Sequence, residues 1–319
     1  MGHQASLRRI ALAATSLLVA LGAAEGVARL TYSPVLTFDD FVPWQDQEFT
    51  PPLNHLGLRE GPIKDLPEET QRVLMLGDSF TWGHGLPDAA DRFTDLMEAR
   101  YNAEEEGDKV HTYNAAVPGT SPVQWSRKMP RVMSEYDADC VFAVFFLRDG
   151  TRLATSIEFH RDKIEEIKRR HHSALYDLSY LVRTIVDRDI AHEFSEWYQG
   201  EFINAYLGAE NETRMWQRVQ GHLRKIQSQC RLADIPFHLV IFPILLDLDD
   251  YRFGGIEAEI ERFADEAEIA CFSLTPGFIG QRAEDLWVSP SNQHPNAAGH
   301  QIAADTLYPY FLNVVRGMR

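Results

Sequence analysis

The sequence has little cysteine and a clear deficit of positive charge. Its 319 residues include three cysteines, and 47 acidic side chains outnumber 31 basic ones, which gives a formal net charge of −16 at pH 7. Cys140, Cys230 and Cys271 are too few and too scattered for a disulfide framework or a zinc site, and we expect them to be buried. So acidic a chain also lacks the basic face that nucleic-acid phosphates require, which excludes nucleic acid as a partner.

Several functional signatures are missing as well. The sequence contains no internal repeat, no low-complexity tract, no phosphate-binding Gly-Lys-Ser/Thr loop and no His-Glu-x-x-His metal motif. We therefore predict no cofactor and no metal. The length and the 45 % hydrophobic content nevertheless suffice for one large domain or two small ones.

Residues 1–30 are predicted to be a signal anchor or a signal peptide outside the folded domain. Arg8 and Arg9 precede an uncharged apolar run over residues 10–24, which is short for a membrane span and typical of a secretory signal. Continuing the run to Leu30 reaches spanning length. Because positive flanking residues stay in the cytosol, we expect the bulk of the chain in the periplasm or at the cell surface.

Whether this segment is removed stays open. Glu25 and Arg29 fall inside the longer span, but their i, i+4 spacing lets them pair at the outer interface of a helix. Residues 22–24, Gly-Ala-Ala, would satisfy a cleavage site, and no cysteine lies nearby for lipidation. We favour an uncleaved anchor; the alternative is a cleaved signal and a secreted protein.

The remaining chain is predicted to be one α/β domain over residues 69–315, after a linker and edge segment over residues 31–68. Short apolar runs alternate with helical stretches, which predicts a doubly wound sheet, and continuous runs such as 140–147 indicate parallel strands that are covered on both faces. A mostly helical stretch over about 156–230 is too long for a simple crossover, so we predict a helical insertion.

Residues 73–83, VLMLGDSFTWG, join a buried strand to a sharp turn. Four apolar residues predict the strand, and the Gly, Asp and Ser that follow predict a turn into a helix. Ser79 is therefore expected just beyond the carboxyl end of a strand, where α/β sheets place ligands and where free backbone N–H groups can bind an oxyanion. The alternative is that Ser79 only caps the helix.

The end of the chain completes a pattern. Residues 289–300, SPSNQHPNAAGH, run from a loop into the last predicted helix and carry His294 followed by Pro and Asn. Together with Gly-Asp-Ser79, they resemble the SGNH (GDSL-type) hydrolase superfamily over roughly residues 53–312. Residues 54–59, NHLGLR, resemble the lead-in of many bacterial members, although a turn with a surface arginine explains them equally well. The resemblance implies a flavodoxin-like sheet and a Ser–His esterase, lipase or acetyl-ester hydrolase.

The resemblance also implies roles for single residues. Ser79 would be the nucleophile and His294 its general base. Backbone N–H groups of Ser79 and Gly119 would bind the oxyanion, with Arg148 as a third donor in the place where the family usually has Asn. The third triad position, usually an Asp three residues before the histidine, corresponds to Ser291.

These two departures from the family pattern leave the function open among three alternatives. Arg148 is either a strong oxyanion donor or a surface charge, and the carboxylate near His294 in sequence, Asp285, lies six residues before Ser291. The leading prediction is a serine esterase that cleaves acetyl or short acyl esters, with a cell-surface glycan as a candidate substrate. The alternatives are acyl transfer to a sugar through the same acyl-enzyme and a catalytically degraded binding or assembly module.

Overall fold

The chain forms two compact units in a computed structural model that describes residues 2–32, 53–60, 66–107, 109–151, 157–289 and 292–318. One unit comprises residues 1–44 and 156–200, and the other comprises residues 45–155 and 201–319. Ser291, the predicted third triad position, lies outside the described residues.

Eleven α-helices, seven strands and three short 3-10 helices (Ala89–Asp91, Leu147–Gly150 and Ala283–Leu286) make up the regular structure of the described residues. In chain order they are α1 (Gly2–Thr31), β1 (Gln71–Leu76), α2 (Ser79–Trp82), α3 (Phe93–Glu104), β2 (Val110–Asn114), α4 (Pro122–Tyr136), β3 (Cys140–Phe146), α5 (Ile157–His171), α6 (Ala174–Leu178), α7 (Tyr180–Leu207), α8 (Glu210–Leu232), β4 (Phe237–Phe242), α9 (Gly254–Glu266), β5 (Ala270–Ser273), α10 (Thr275–Phe278), β6 (Trp287–Ser289), β7 (Asn292–Pro295) and α11 (Ala297–Gly317).

The larger unit is built on a five-stranded parallel sheet in the order β2-β1-β3-β4-β5. This is the flavodoxin order, which confirms the predicted doubly wound α/β fold. Every residue of the central strand β3 is buried, because helices cover both faces of such a sheet and leave no polar face to water. Strands β6 and β7 form a separate antiparallel pair just before α11.

The smaller unit contains α1, α5, α6 and most of α7. The predicted helical insertion over about 156–230 corresponds to α5, α6, α7 and α8, of which α8 belongs to the larger unit. By length and composition, Arg8–Thr31 of α1 could cross a membrane. Its large apolar side chains are exposed, whereas a helix of a soluble core would bury them.

Candidate active site

Ser79 is the first residue of α2, directly beyond the carboxyl end of β1. Two neighbours make this turn possible. A Cβ on Gly77 would collide with the Thr81 side chain, and the Asp78 carboxylate accepts a hydrogen bond from the Phe80 N–H at 2.8 Å, which caps the helix. Asp78 is therefore the cap, and the Ser79 side chain, only 4 % exposed, is available for another role.

His294 on β7 meets Ser79 across the site. Its Nε2 atom lies 2.8 Å from Ser79 Oγ, and its Nδ1 atom lies 2.6 Å from Asn292 Oδ1. The backbone N–H of His294 also donates to Asn292 Oδ1, at 3.3 Å, so the amide oxygen faces the ring. An oxygen acceptor requires that Nδ1 carry the hydrogen, which leaves Nε2 to accept from the Ser79 hydroxyl. The three side chains form one hydrogen-bonded series from Ser79 to Asn292.

Asn292 is the residue that sequence reasoning missed. The family spacing pointed to Ser291, but residues i and i+2 of a strand lie on the same face, so Asn292 and His294 of β7 face the same way. The two-residue period of a strand was the sequence signal that could have identified Asn292 as the partner of His294. Asp285, the other sequence candidate, is on the surface, where its carboxylate lies 3.8 Å from the Arg282 guanidinium.

The surroundings of His294 favour its neutral form. Burial, followed by the neighbouring His84, Arg148 and His300, lowers the pKa of His294 well below its ordinary value of 6.5. Asn292 supplies no negative charge to offset this. His294 is consequently unprotonated at neutral pH, the state in which a histidine can accept a proton.

His84 forms a wall of the site, and Arg59 holds the loop that carries it. The His84 ring centroid lies 4.4 Å from that of His294. The Arg59 guanidinium donates to the carbonyl oxygens of Gly83 at 2.9 Å and Leu86 at 2.8 Å, on either side of His84. Arg59 is only 5 % exposed, so the interpretation of the NHLGLR stretch as a turn with a surface arginine is wrong. The stretch is a clamp on the loop that follows the predicted nucleophile.

Gly119 lies in a turn that is tied to the end of β1. The Val117 N–H donates to Gly77 O at 3.1 Å, which brings the turn beside the residues that lead into Ser79. Gly119 has φ of +72°, a conformation that favours glycine, and a Cβ added there would meet nothing within 4 Å. Its exposed backbone borders open space, as a donor to a substrate would require.

Arg148 is the second residue after β3, the neighbour of β1 in the sheet. Its guanidinium lies 5.6 Å from the Phe146 ring centroid, and that ring stacks on Phe80 at 3.8 Å. Burial raises the pKa of Asp78 to about 6 against the opposing effect of Arg148, and burial and Asp78 raise that of Asp149. Arg148 is thus the positive charge beside two buried carboxyl groups, next to the predicted nucleophile.

Comparisons with known proteins match the chain to one family and to several solved structures. The GDSL-like Lipase/Acylhydrolase family matches residues 75–302. Among solved structures, the chain is similar to TesA (14 % identity, 75 % of this chain and 97 % of that one, TM-score 0.47) and to the psychrotrophic esterase EstA from Pseudoalteromonas sp. (14 %, 77 % and 99 %, 0.46). It is also similar to a catalytic mutant of Axe2, an acetylxylan esterase from Geobacillus stearothermophilus (14 %, 75 % and 93 %, 0.44). No curated protein matches the chain. Because the family match spans more than half of the sequence, this chain belongs to the GDSL-like lipase/acylhydrolase family.

Proposed function

We propose that this chain is a serine esterase that cleaves acetyl or short acyl esters through an acyl-enzyme on Ser79. The observation that carries the proposal is the hydrogen-bonded series from Ser79 Oγ through His294 to Asn292 Oδ1. An unassisted hydroxyl is a poor nucleophile, and a neutral imidazole within 2.8 Å is the base that it needs. Family membership supports ester hydrolysis as the reaction class.

In the proposed reaction, His294 Nε2 takes the Ser79 proton as Oγ bonds to the ester carbonyl carbon. The carbonyl oxygen becomes an oxyanion, which accepts hydrogen bonds from the N–H groups of Ser79 and Gly119 and from the Arg148 guanidinium. Collapse of this intermediate breaks the ester bond, and His294 returns the proton to the departing alcohol. Water then attacks the acyl-enzyme with His294 again as base, which releases the acid and restores Ser79.

Asn292 has a limited role in this scheme. Its amide oxygen holds the His294 ring in the tautomer that presents Nε2 to Ser79. Unlike a carboxylate, a neutral amide does not stabilise the imidazolium that forms in the transition state. The site is therefore an oriented dyad with less electrostatic help than a Ser-His-Asp triad.

The proposed acyl group is small because Ser79 is enclosed. Only 4 % of its surface is exposed, and aromatic rings surround its base, with Phe80 at 5.3 Å and His84 at 4.4 Å from His294 between centroids. A two-carbon acyl group needs little room beside such a hydroxyl. The alcohol side can be large, because the exposed turn at Gly119 borders open space. A glycan of the cell surface meets both requirements.

Covalent trapping tests the proposal. A fluorophosphonate should label Ser79, and Ser79→Ala should abolish the label. Ser126→Ala is a matched control, because the Ser126 hydroxyl also lies 2.8 Å from a histidine, Nδ1 of His222, yet it is buried on α4 away from any strand-to-helix turn. The label should be unchanged in that variant. Absence of labelling in the wild type would favour a binding module instead.

Product analysis separates hydrolysis from acyl transfer. The protein is incubated with an acetyl ester and an oligosaccharide, and free acetate and acetylated sugar are quantified together. Acetate is the expected main product, and faster formation of acetylated sugar would establish the acyltransferase alternative. Ser79→Ala should abolish both products, since one acyl-enzyme serves both.

We further propose that α1 is an uncleaved membrane anchor that leaves the enzyme outside the cytosol. Arg8 and Arg9 at its start and the exposed apolar surface along Arg8–Thr31 support this placement. Full-length protein should remain with membranes after alkaline extraction, and a chain that starts near Ser33 should be soluble. Recovery of a soluble mature chain that begins at Glu25 would instead establish a cleaved signal.

A further inference from the structure

The C-terminal third of α1 has one face whose side chains are partly or fully buried. Ala24 and Glu25 are partly buried, Ala28 is buried, and Tyr32 just beyond the helix is partly buried, while the flanking residues are exposed. These positions recur every three to four residues, so they lie on one face of the helix. Both polar residues of this face contact α7, which belongs to the same compact unit.

Glu25 caps the N-terminus of α7. Its carboxylate accepts hydrogen bonds from the Ser179 hydroxyl at 2.7 Å and from the backbone N–H groups of Tyr180 and Leu181, both at 3.0 Å. These two N–H groups belong to the first turn of the helix, which has no partners within the helix. Arg29 Nε donates to the same carboxylate at 2.9 Å. A charge that would be costly near a bilayer is therefore partnered by groups of the protein.

Tyr32 makes the second contact and sets the direction of α7. The Tyr32 hydroxyl donates to Asp187 Oδ2 at 2.6 Å, and the Tyr176 hydroxyl donates to Asp187 Oδ1 at 2.8 Å. Between the Glu25–Tyr180 and Tyr32–Asp187 contacts, both helices advance by seven residues, so α1 and α7 run side by side in parallel. Ser179, which directly follows α6, donates its hydroxyl hydrogen to Glu25, so the end of α6 lies near the level of Glu25.

This level coincides with the outer edge of a membrane that α1 would span. A hydrocarbon core of about 30 Å corresponds to about 20 helical residues, so a span that begins at Ile10 ends near Arg29. Glu25 is only about 6 Å from Arg29 along the helix axis, at 1.5 Å per residue. The start of α7 and the end of α6 then lie within about 6 Å of the boundary between the hydrocarbon core and the outer headgroups.

The surface of α6 fits that position. Leu175 and Leu178 are 65 % and 72 % exposed and lie three residues apart, so α6 presents both leucines on one exposed face. Beside them, the Arg29 and Arg183 guanidinium groups lie 5.3 and 4.7 Å from the Tyr180 ring centroid. Tyrosine and snorkelling arginine side chains are enriched where membranes meet water.

We propose that α6 and the first turn of α7 form a second membrane contact, in which Leu175 and Leu178 enter the outer headgroup region and Glu25 holds the contact against the anchor. The contact rests on the proposed anchor. It fixes the first turn of α7 at the bilayer surface, so that α1 does more than tether the chain.

The test places a single probe at the proposed contact in the full-length protein. Leu178→Cys is made in a Cys271→Ser background, where the remaining native cysteines, Cys140 and Cys230, are buried and unreactive. A fluorophore on this cysteine is exposed to iodide in water or to lipids with a nitroxide near the headgroup, in phosphatidylcholine–phosphatidylglycerol vesicles. Asp189→Cys is the matched control, because it is exposed on α7 about 14 Å further from the membrane along the helix.

We expect the probe at position 178 to be quenched several-fold more strongly by the nitroxide lipid than the probe at position 189, with the opposite order for iodide. Adding Glu25→Ala should abolish this difference while the protein stays in the membrane, with thermal unfolding as the check on folding. Equal quenching at both positions in protein that resists alkaline extraction would overturn the contact and leave the anchor intact. Loss of the protein on alkaline extraction would overturn the anchor, and the contact with it.

Discussion

Replacing Asn292 by aspartate is expected to raise both the pKa of His294 and the rate of the reaction. Asn292 Oδ1 lies 2.6 Å from His294 Nδ1, and aspartate has nearly the same shape, so Asn292→Asp puts a negative charge beside the ring. Two unit charges 4 Å apart interact by about 4 kcal/mol at an effective dielectric constant of 20, which equals about 3 pKa units. Partial burial of the new carboxylate offsets some of this, so a rise of about 1–3 units is expected.

The sign of the pH dependence follows from the role of His294 as a base. Its pKa is depressed below 6.5, so wild-type kcat/KM should stay constant as the pH falls through 6.5 and decline only in more acidic solution. In Asn292→Asp the acid limb should move to higher pH. At alkaline pH, where His294 is neutral in both proteins, kcat should rise about 10–10³-fold, because the carboxylate stabilises the imidazolium of the transition state.

The assay is a pH–rate profile with p-nitrophenyl acetate. Gln293→Asp is the matched control, because Gln293 is exposed and alternates to the other face of β7, so it adds the same charge without a contact to the ring. That variant should follow the wild-type profile. If Asn292→Asp also follows the wild-type profile, both in its acid limb and in its rate at alkaline pH, Asn292 does not orient His294. The proposed hydrogen-bonded series from Ser79 to Asn292 is then wrong.

Further predictions concern the remaining site residues. Ser79→Ala and His294→Ala should each lower kcat/KM by several orders of magnitude. The double variant should lose little more, since the effects of residues that act as a unit are not additive. Near wild-type turnover of Ser79→Ala would refute the mechanism. Arg148→Ala should lower kcat by about 10²–10³ with little change in KM, and Arg148→Asn should recover part of the loss; a change in KM alone would assign Arg148 to substrate binding. Arg59→Met should lower the free energy of unfolding in urea by about 3 kcal/mol or more, because it leaves buried carbonyl oxygens unpaired; an unchanged free energy of unfolding would contradict the clamp. His84→Phe should move the acid limb of the pH profile to higher pH, because His84 helps to lower the pKa of His294.

The sequence by itself determined the sheet and the location of the predicted nucleophile. Continuous apolar runs such as Cys140–Phe146 specify strands that are buried on both faces, whatever surrounds them. The turn at Ser79 is equally local, since Gly77 avoids a collision with Thr81 and the Asp78 carboxylate accepts a hydrogen bond from the Phe80 N–H. The pairing of Ser79 with His294 followed from the family resemblance, because no local pattern links residues 215 positions apart.

Only the tertiary structure decided which groups surround that pair. Asn292 became the partner of His294 because residues 292–295 form a strand, whose period of two replaces the spacing of three expected from the family. Arg59 is buried because it reaches carbonyl groups 24 and 27 residues away, and Glu25 caps a helix that begins 155 residues later. Each of these polar side chains gains its partners only when distant segments meet, and a polar group that is removed from water must find such partners. Local sequence specifies which groups need partners, and the fold decides which ones they get.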